Sequence, residues 1–263
     1  MIKETLVRFL NAIPVDRRDR GWFRGRDFSR DIAVTCPKTT VRIVFDIGAH
    51  VGEESRRFLK CWPQARIYAF EPTPATFQIL KSKNPHSRMF AHQLAMSSSA
   101  GTAQFVAHGL GTSNRLTESQ SSNTIKVAKS TIDLFCEQQS IPEVDVLKID
   151  TEGHELAVLN GAEKKLKAQE IGFIRAECGV DPNNDRHVPY GQITELLLDY
   201  GYFLFGVYDQ ENEFFRNEPQ LRRFDLAFIS GKERDNNSGV AKRWPDSLLN
   251  VVVRLKHRLN RKP

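Results

Sequence analysis

Residues 41–52, VRIVFDIGAHVG, constrain this chain more than any other stretch. Val41, Ile43, Val44, Phe45 and Ile47 give the β-branched and aromatic run that a strand covered on both faces requires. Asp46 stands near the end of that strand, Gly48 and Gly52 bracket a turn, and 53–60 reads as a helix. A strand, a glycine turn and a helix N-terminus make a ligand-binding corner of an α/β sheet.

The corner is not built for a dinucleotide. The G-x-G-x-x-G fingerprint needs glycines at 48, 50 and 53, and the chain has Gly48, His50 and Glu53. A carboxylate at Asp46 opposes a pyrophosphate and suits a ligand that carries an ammonium group. S-adenosylmethionine (SAM) has an ammonium, a sulfonium and no phosphate. A second acid supports this reading. The apolar strand Ile67–Phe70 ends in Glu71-Pro72, with Glu71 25 positions after Asp46. That is near the ~20-residue offset of a ribose-binding acid.

Strands are expected at 41–47, 66–70, 88–95, 102–107, 144–150, 171–178, 202–207 and 224–229. Helices are expected at 2–13, 53–61, 73–83, 131–138, 154–168, 190–200 and 246–261, with a long polar loop at 109–124. Lys148 and Asp150 fall on one side of the strand that contains them. Strands alternating with helices imply a Rossmann-like, doubly wound, mainly parallel sheet. The last two strands lack an intervening helix and should pair antiparallel at one edge. The chain divides into a helix and basic lead-in (1–35), one α/β domain (36–230), and a flexible connector with a basic amphipathic helix (231–263). The lead-in carries Trp22, Phe23 and Phe28 among its arginines, as anchors on the core or on substrate.

The net charge of +6 sits at the ends. Residues 1–30 carry +4 and residues 231–263 carry +6, which leaves −4 for the middle. An acidic middle is a poor match for nucleic acid. The C-terminal helix has a basic face that suits docking on its own domain, a partner, or peripheral contact with an anionic membrane. No apolar run reaches the ~18 residues of a membrane span, and 1–14 makes a poor signal peptide. Cys36, Cys61, Cys136 and Cys178 are scattered without metal spacing, as free thiols in a reducing cytoplasm would be.

Together these motifs resemble the FkbM family of class I SAM-dependent methyltransferases. The family pattern runs D-x-G-A-N-x-G, then E-P, then K-x-D-x-E-G-x-E. Here it reads Asp46-Ile47-Gly48-Ala49-His50-Val51-Gly52, Glu71-Pro72, and Lys148-Ile149-Asp150-Thr151-Glu152-Gly153-His154-Glu155. Thr131-Ile132-Asp133, Val158-Leu159-Asn160-Gly161-Ala162 and a strand-end Glu177 complete the likeness over roughly 41–180. His50 stands where the family has Asn, and its imidazole can replace the amide as a donor.

The resemblance implies the class I methyltransferase fold and SAM as cofactor. It places Asp46, Gly48, Ala49, His50 and Gly52 around the methionine part of SAM. Glu71 with Pro72 would meet the ribose, and Ala95, Met96 and Ser97 the adenine. It implies O-methylation of a hydroxyl on a sugar, glycan or polyketide-like small molecule.

The acceptor must meet the methyl carbon in line and lose a proton to a positioned base. Asp150, Glu152 and Glu177 are the candidates for that role, with His154 and His187 as outsiders. The acids at 150 and 177 end neighbouring strands, so they can instead hold a divalent cation that lowers the acceptor's pKa. Glu155 also fits plain helix capping. The competing readings are a non-catalytic module of the same fold, held to a membrane or partner by its basic ends, and last a nucleic-acid methyltransferase. The acceptor and the oligomeric state are not legible.

Overall fold

The computed structural model describes residues 25–83, 85–106, 115–117, 124–182, 186–213 and 219–238. The expected helices at 2–13 and 246–261, the lead-in before residue 25 and most of the 109–124 loop lie outside the described residues.

The chain begins with α1 (Phe28–Thr35), followed by β1 (Ile43–Ile47), α2 (Glu53–Cys61), β2 (Arg66–Phe70), α3 (Pro74–Lys83) and β3 (Met89–His92). Next come β4 (Ala95–Met96), β5 (Gly101–Val106), β6 (Arg115–Thr117), β7 (Thr124–Ser130) and α4 (Ile132–Gln138). Then follow β8 (Val144–Ile149), α5 (Glu155–Asn160), α6 (Glu163–Lys167), β9 (Ile171–Gly179) and α7 (Tyr190–Asp199). The last described elements are β10 (Tyr202–Asn212), β11 (Leu221–Ser230) and α8 (Gly231–Asn237).

The main sheet has seven strands in the order β10-β11-β9-β8-β1-β2-β3. β1, β2, β3, β8 and β9 pair in parallel, and β11 runs antiparallel to both β9 and β10. This is the doubly wound, mainly parallel sheet that the alternation of elements implies, with the last two strands paired antiparallel at one edge. The chain leaves β1 toward β2 on one side and returns to β8 on the other. The crevice for a ligand therefore opens at the C-terminal ends of β1 and β8.

Strand alternation divides the core. Phe45 and Ile47 of β1 face one layer, with Phe70, Leu147 and Phe135. Val44 faces the other, with Ile67, Val146 and Phe173. Every residue of β1 is buried, as its apolar run demands. Burying each such large side chain contributes roughly 1.5–3 kcal/mol. The alternation has a second effect. Asp46, Lys148 and Arg175 share the Val44 face and are register partners across β1, β8 and β9.

The structure departs from the sequence expectations in a second sheet, in one helix and at both ends of the domain, and β6 and β7 were not expected as strands. The strand expected at 88–95 is two strands: β3 joins the main sheet, and β4 joins a separate four-stranded sheet ordered β4-β7-β5-β6. The helix expected at 154–168 breaks into α5 and α6. Asp133 explains the break, because its carboxylate accepts the Lys164 and Lys165 N–H groups at 2.8 and 3.1 Å and caps α6. Gly161, at the break, lies so near the Ser97 carbonyl that a Cβ would stand 2.0 Å from it. The T-x-D and G-A motifs are thus fastenings.

The domain also reaches beyond 36–230 at both ends. In α1, Phe28 and Ile32 sit in the core with Phe173 and Tyr208. Where a flexible connector was expected, α8 forms a helix capped by Ser230, whose Oγ accepts the Glu233 N–H at 3.1 Å. The Asn237 side chain accepts from Lys38 N at 3.0 Å and donates to Thr39 Oγ1 at 3.0 Å.

Candidate active site

A cavity of about 430 Å³ lies at the crevice, within the range of ordinary ligand sites. One half is formed by the 48–52 loop, the 70–72 strand end and β4. The other is formed by the 150–154 turn, 186–187 and 222–223.

The first half is held by backbone geometry. Gly48 (φ +76°) and Gly52 (φ +82°) are left-handed. A Cβ on Gly48 would stand 1.8 Å from the Asp150 carbonyl oxygen, so the loop touches the end of β8 through bare backbone. Gly48 and Ala49 both donate N–H to the Phe70 carbonyl at 3.0 Å. His50 is also left-handed, at φ +48°. Asn, Asp and His enter that region more readily than other side chains. The exchange of Asn for His therefore satisfies a backbone demand.

Glu71 is buried at the end of β2. Its Oε2 accepts the His50 N–H at 3.1 Å and its Oε1 the Thr73 N–H at 2.9 Å. Burial pushes its carboxyl up, against those donors. Each oxygen keeps a lone pair for a further donor. Pro72 lines the cavity beside it, and Ala95 and Met96, both buried, form the wall opposite.

Asp46 is fully buried behind the loop. Its Oδ2 accepts from Ser55 Oγ at 2.6 Å, and its Oδ1 lies 3.2 Å from Lys148 Nζ. The ammonium that meets Asp46 in this structure is that of Lys148. The case against a pyrophosphate thus rests on the missing glycines and on Glu71, with Asp46 already neutralised. Lys148 Nζ also donates to the Gly48 carbonyl at 3.3 Å and lies 3.3 Å from Asp150 Oδ2. Burial works against its charge, but Asp150 and Asp46 outweigh it and hold the ammonium above its ordinary pKa.

The second half gathers side chains from three strand ends. Asp150 follows β8 and its side chain is 42% exposed. The turn after it is stapled by Glu155, whose Oε1 accepts from Thr151 N and Oγ1 at 2.9 Å and from Gly153 N at 3.3 Å. Glu155 is a capping residue here. Glu152 takes φ +54°, a strained backbone for a side chain of its size. Burial and the Asp150 charge push its carboxyl up to about 7.

Glu177, near the end of β9, is 4% exposed. Its Oε1 is held by Arg223, and its Oε2 lies 3.5 Å from His187 Nε2. Burial and the Asp150 charge push its carboxyl up, against Arg223. His187 is buried and held down to about 4, first by burial and then by Arg223 and Arg222, so its imidazole is neutral. His154 turns toward the strand after β3, its Nε2 3.0 Å from Ser97 Oγ. Of the two outsiders, only His187 joins the acids.

Sequence reasoning missed Arg186, Arg222 and Arg223, which line this half. The adjacent pair Arg222-Arg223 before the last strand was the available signal.

A family model described as the methyltransferase FkbM domain matches residues 46–204. The chain is 28% identical to the hexuronic acid methyltransferase AglP of Haloferax volcanii over 160 residues, which cover 60% of this chain and 62% of that protein. It is 27% identical to the 2-O-methyltransferase NoeI of Sinorhizobium fredii over 176 residues, 60% of this chain and 72% of that one. The match thus spans a little over three-fifths of the first of these relatives. Among solved structures, TrmK of M. capricolum with S-adenosyl-homocysteine aligns at TM-score 0.44 and 11% identity, over 78% of this chain and 69% of that one. The matched region runs from Asp46 into β10 and covers more than half of the chain, so the chain belongs to the FkbM methyltransferase family.

Proposed function

We propose that the protein is a SAM-dependent O-methyltransferase acting on a hydroxyl of a sugar or glycan. The observation that carries this reading is the shared cavity. Gly48, Ala49, His50 and Glu71 line it at one end, and Asp150 and Glu152 at the other. The printed activities of the two relatives support a sugar-like acceptor.

The residues fit SAM. Glu71 presents two buried oxygens with lone pairs to spare for the ribose hydroxyls. Gly48 and Ala49 give close approach for the methionine part, and Leu94, Ala95, Met96 and Phe105 give an apolar wall for the adenine. Asp46 acts from behind, through Lys148. SAM, when bound, supplies a sulfonium methyl group and leaves as S-adenosylhomocysteine. With SAM bound, Asp150 would take the proton of the acceptor hydroxyl as that oxygen receives the methyl group. Lys148 fixes the Asp150 carboxylate relative to the Gly48 carbonyl, so cofactor loop and base move as one body. Glu152 and Glu177 organise the acceptor side.

The test is methyl transfer from labelled SAM to a panel of neutral sugars and uronic acids. Asp150→Asn should lower turnover at least a hundredfold while SAM affinity stays within twofold. A folded wild-type protein that binds no SAM would contradict the reading. SAM binding with no transfer to any acceptor would favour the non-catalytic module.

A further inference from the structure

We propose that Glu152, Glu177 and His187 form a binding site for a divalent metal ion of the Mn²⁺ type at the acceptor end of the cavity. The site stands on its own geometry, and only its role in holding an acceptor oxygen rests on the methyltransferase reading.

Each of the three residues offers one ligand atom, and the three atoms lie within 4.8 Å of one another. Donors bound to one ion at about 2.1 Å stand roughly 3 Å apart when adjacent and about 4.2 Å apart when opposite. The 3.5 Å between His187 Nε2 and Glu177 Oε2 suits two ligands of one ion and is long for a direct hydrogen bond.

Glu177 supplies an independent sign. The residue is 4% exposed, and its Oε2 has no hydrogen-bond partner among the described residues. A buried carboxylate oxygen left unpaired is costly, so something should meet it. Arg223 holds the other oxygen. Its charge is shared with Glu211, to which it donates from Nε at 2.9 Å and from Nη2 at 2.7 Å. Arg222 also binds Glu211, at 3.2 Å, and Asp150 is paired with Lys148. Arg186 also lines this end, and Arg223 and Arg186 both act on Glu152, so these cations are divided among Glu152, Glu177 and Glu211.

His187 is built into place. The Gly179 N–H donates to the Val188 carbonyl at 2.9 Å, and Gly179 bridges Pro189. A Cβ on Gly179 would stand 2.9 Å from the His187 Cβ. Bare backbone at 179 therefore lets the imidazole sit against β9, two residues from Glu177. The three donors come from three separate segments, and Glu152 and His187 line the cavity. An ion held there keeps coordination positions open to an acceptor.

The donor set selects the ion. Carboxylates suit Mg²⁺ and Mn²⁺, and imidazole suits the transition metals, so Mn²⁺ meets both preferences. Mg²⁺, which favours oxygen ligands in strict octahedral array, should bind more weakly.

The full chain, stripped with a chelator, is titrated with MnCl₂ while the electron paramagnetic resonance of free Mn²⁺ is followed. One ion per chain should be taken up, and the melting temperature should rise. Glu177→Gln and His187→Ala should each weaken binding at least tenfold. Glu152→Gln, at the half-buried turn after β8, should do the same, and Glu163→Gln should not. No uptake at millimolar Mn²⁺ would overturn the site, as would uptake unchanged in Glu152→Gln and His187→Ala. SAM is titrated separately into the stripped protein. SAM binding without Mn²⁺ uptake sinks the metal site alone. Mn²⁺ uptake lost in the variants, with no SAM binding, supports the site and sinks the methyltransferase reading.

Discussion

The two halves of the cavity satisfy their polar groups in different ways. In the loop half, Glu71 binds two backbone N–H groups, and the Gly48 and Ala49 N–H groups meet one carbonyl. In the acid half, Glu152 sits on strained backbone, and one oxygen of Glu177 has no hydrogen-bond partner among the described residues. The first half is held chiefly by backbone donors and acceptors. The second crowds buried acids together, which pushes the Glu152 and Glu177 carboxyls up. Strain of this kind gathers where proteins do chemistry.

Lys148 joins the halves, so its removal should break the comparison most severely. Lys148→Ala leaves Asp46 buried without its cation and should cost about 3–5 kcal/mol of stability. Urea denaturation followed by circular dichroism measures this, and a loss below ~1 kcal/mol would mean that the pair is not structural. Gly48→Ala comes next. Its Cβ meets the Asp150 carbonyl, and its φ is +76°. A cost of at least ~2 kcal/mol is expected, together with lost SAM affinity, because the loop must move away from β8.

Glu71→Gln should act on the loop half alone. The amide keeps one acceptor and loses the charge. SAM binding should weaken roughly tenfold to a hundredfold, about 1.4–2.7 kcal/mol by calorimetry.

Glu152→Gln sharpens the contrast through pH. The folded protein holds the Glu152 proton up to about 7, whereas an unfolded chain releases it near ~4.3. The folded state thus binds the proton more tightly, and the associated stability is present at low pH and lost as pH rises from ~4.3 to about 7. The side chain is partly solvated, which reduces the effect to about 1 kcal/mol. In chelator, the wild-type protein should lose that much relative to Glu152→Gln between pH 5 and pH 8. Parallel profiles would show that Glu152 carries no such penalty.

The same contrast explains what could be read from the sequence. The loop half is local: a strand, a turn and an acid within one βαβ unit, so Gly48, Gly52 and Glu71 were all legible from spacing. The parallel order of β1, β2, β8 and β9, and the antiparallel ending, followed from the alternation of elements. Asp46 stood out in the sequence, but its partner did not, because Lys148 meets it across 102 positions of chain. The acid half draws on β8, β9 and the start of β11, so the meeting of Glu177, His187 and Arg223 had no local sign. Of the small second sheet, β5 matches the strand expected at 102–107, but β7 was missed for another reason. That strand, Thr124–Ser130, is polar and buries chiefly Val127 and Ser130, which leaves no apolar run to see.

The central claim is that one cavity holds SAM at the loop half and does its chemistry at the acid half. Calorimetric titration of SAM into wild type, Glu71→Ala and Asp150→Asn tests it most directly. One SAM should bind per wild-type chain, binding should fall at least tenfold in Glu71→Ala, and Asp150→Asn should bind within twofold of wild type. Absent SAM binding in the folded wild type, or equal losses in the two variants, would contradict the account.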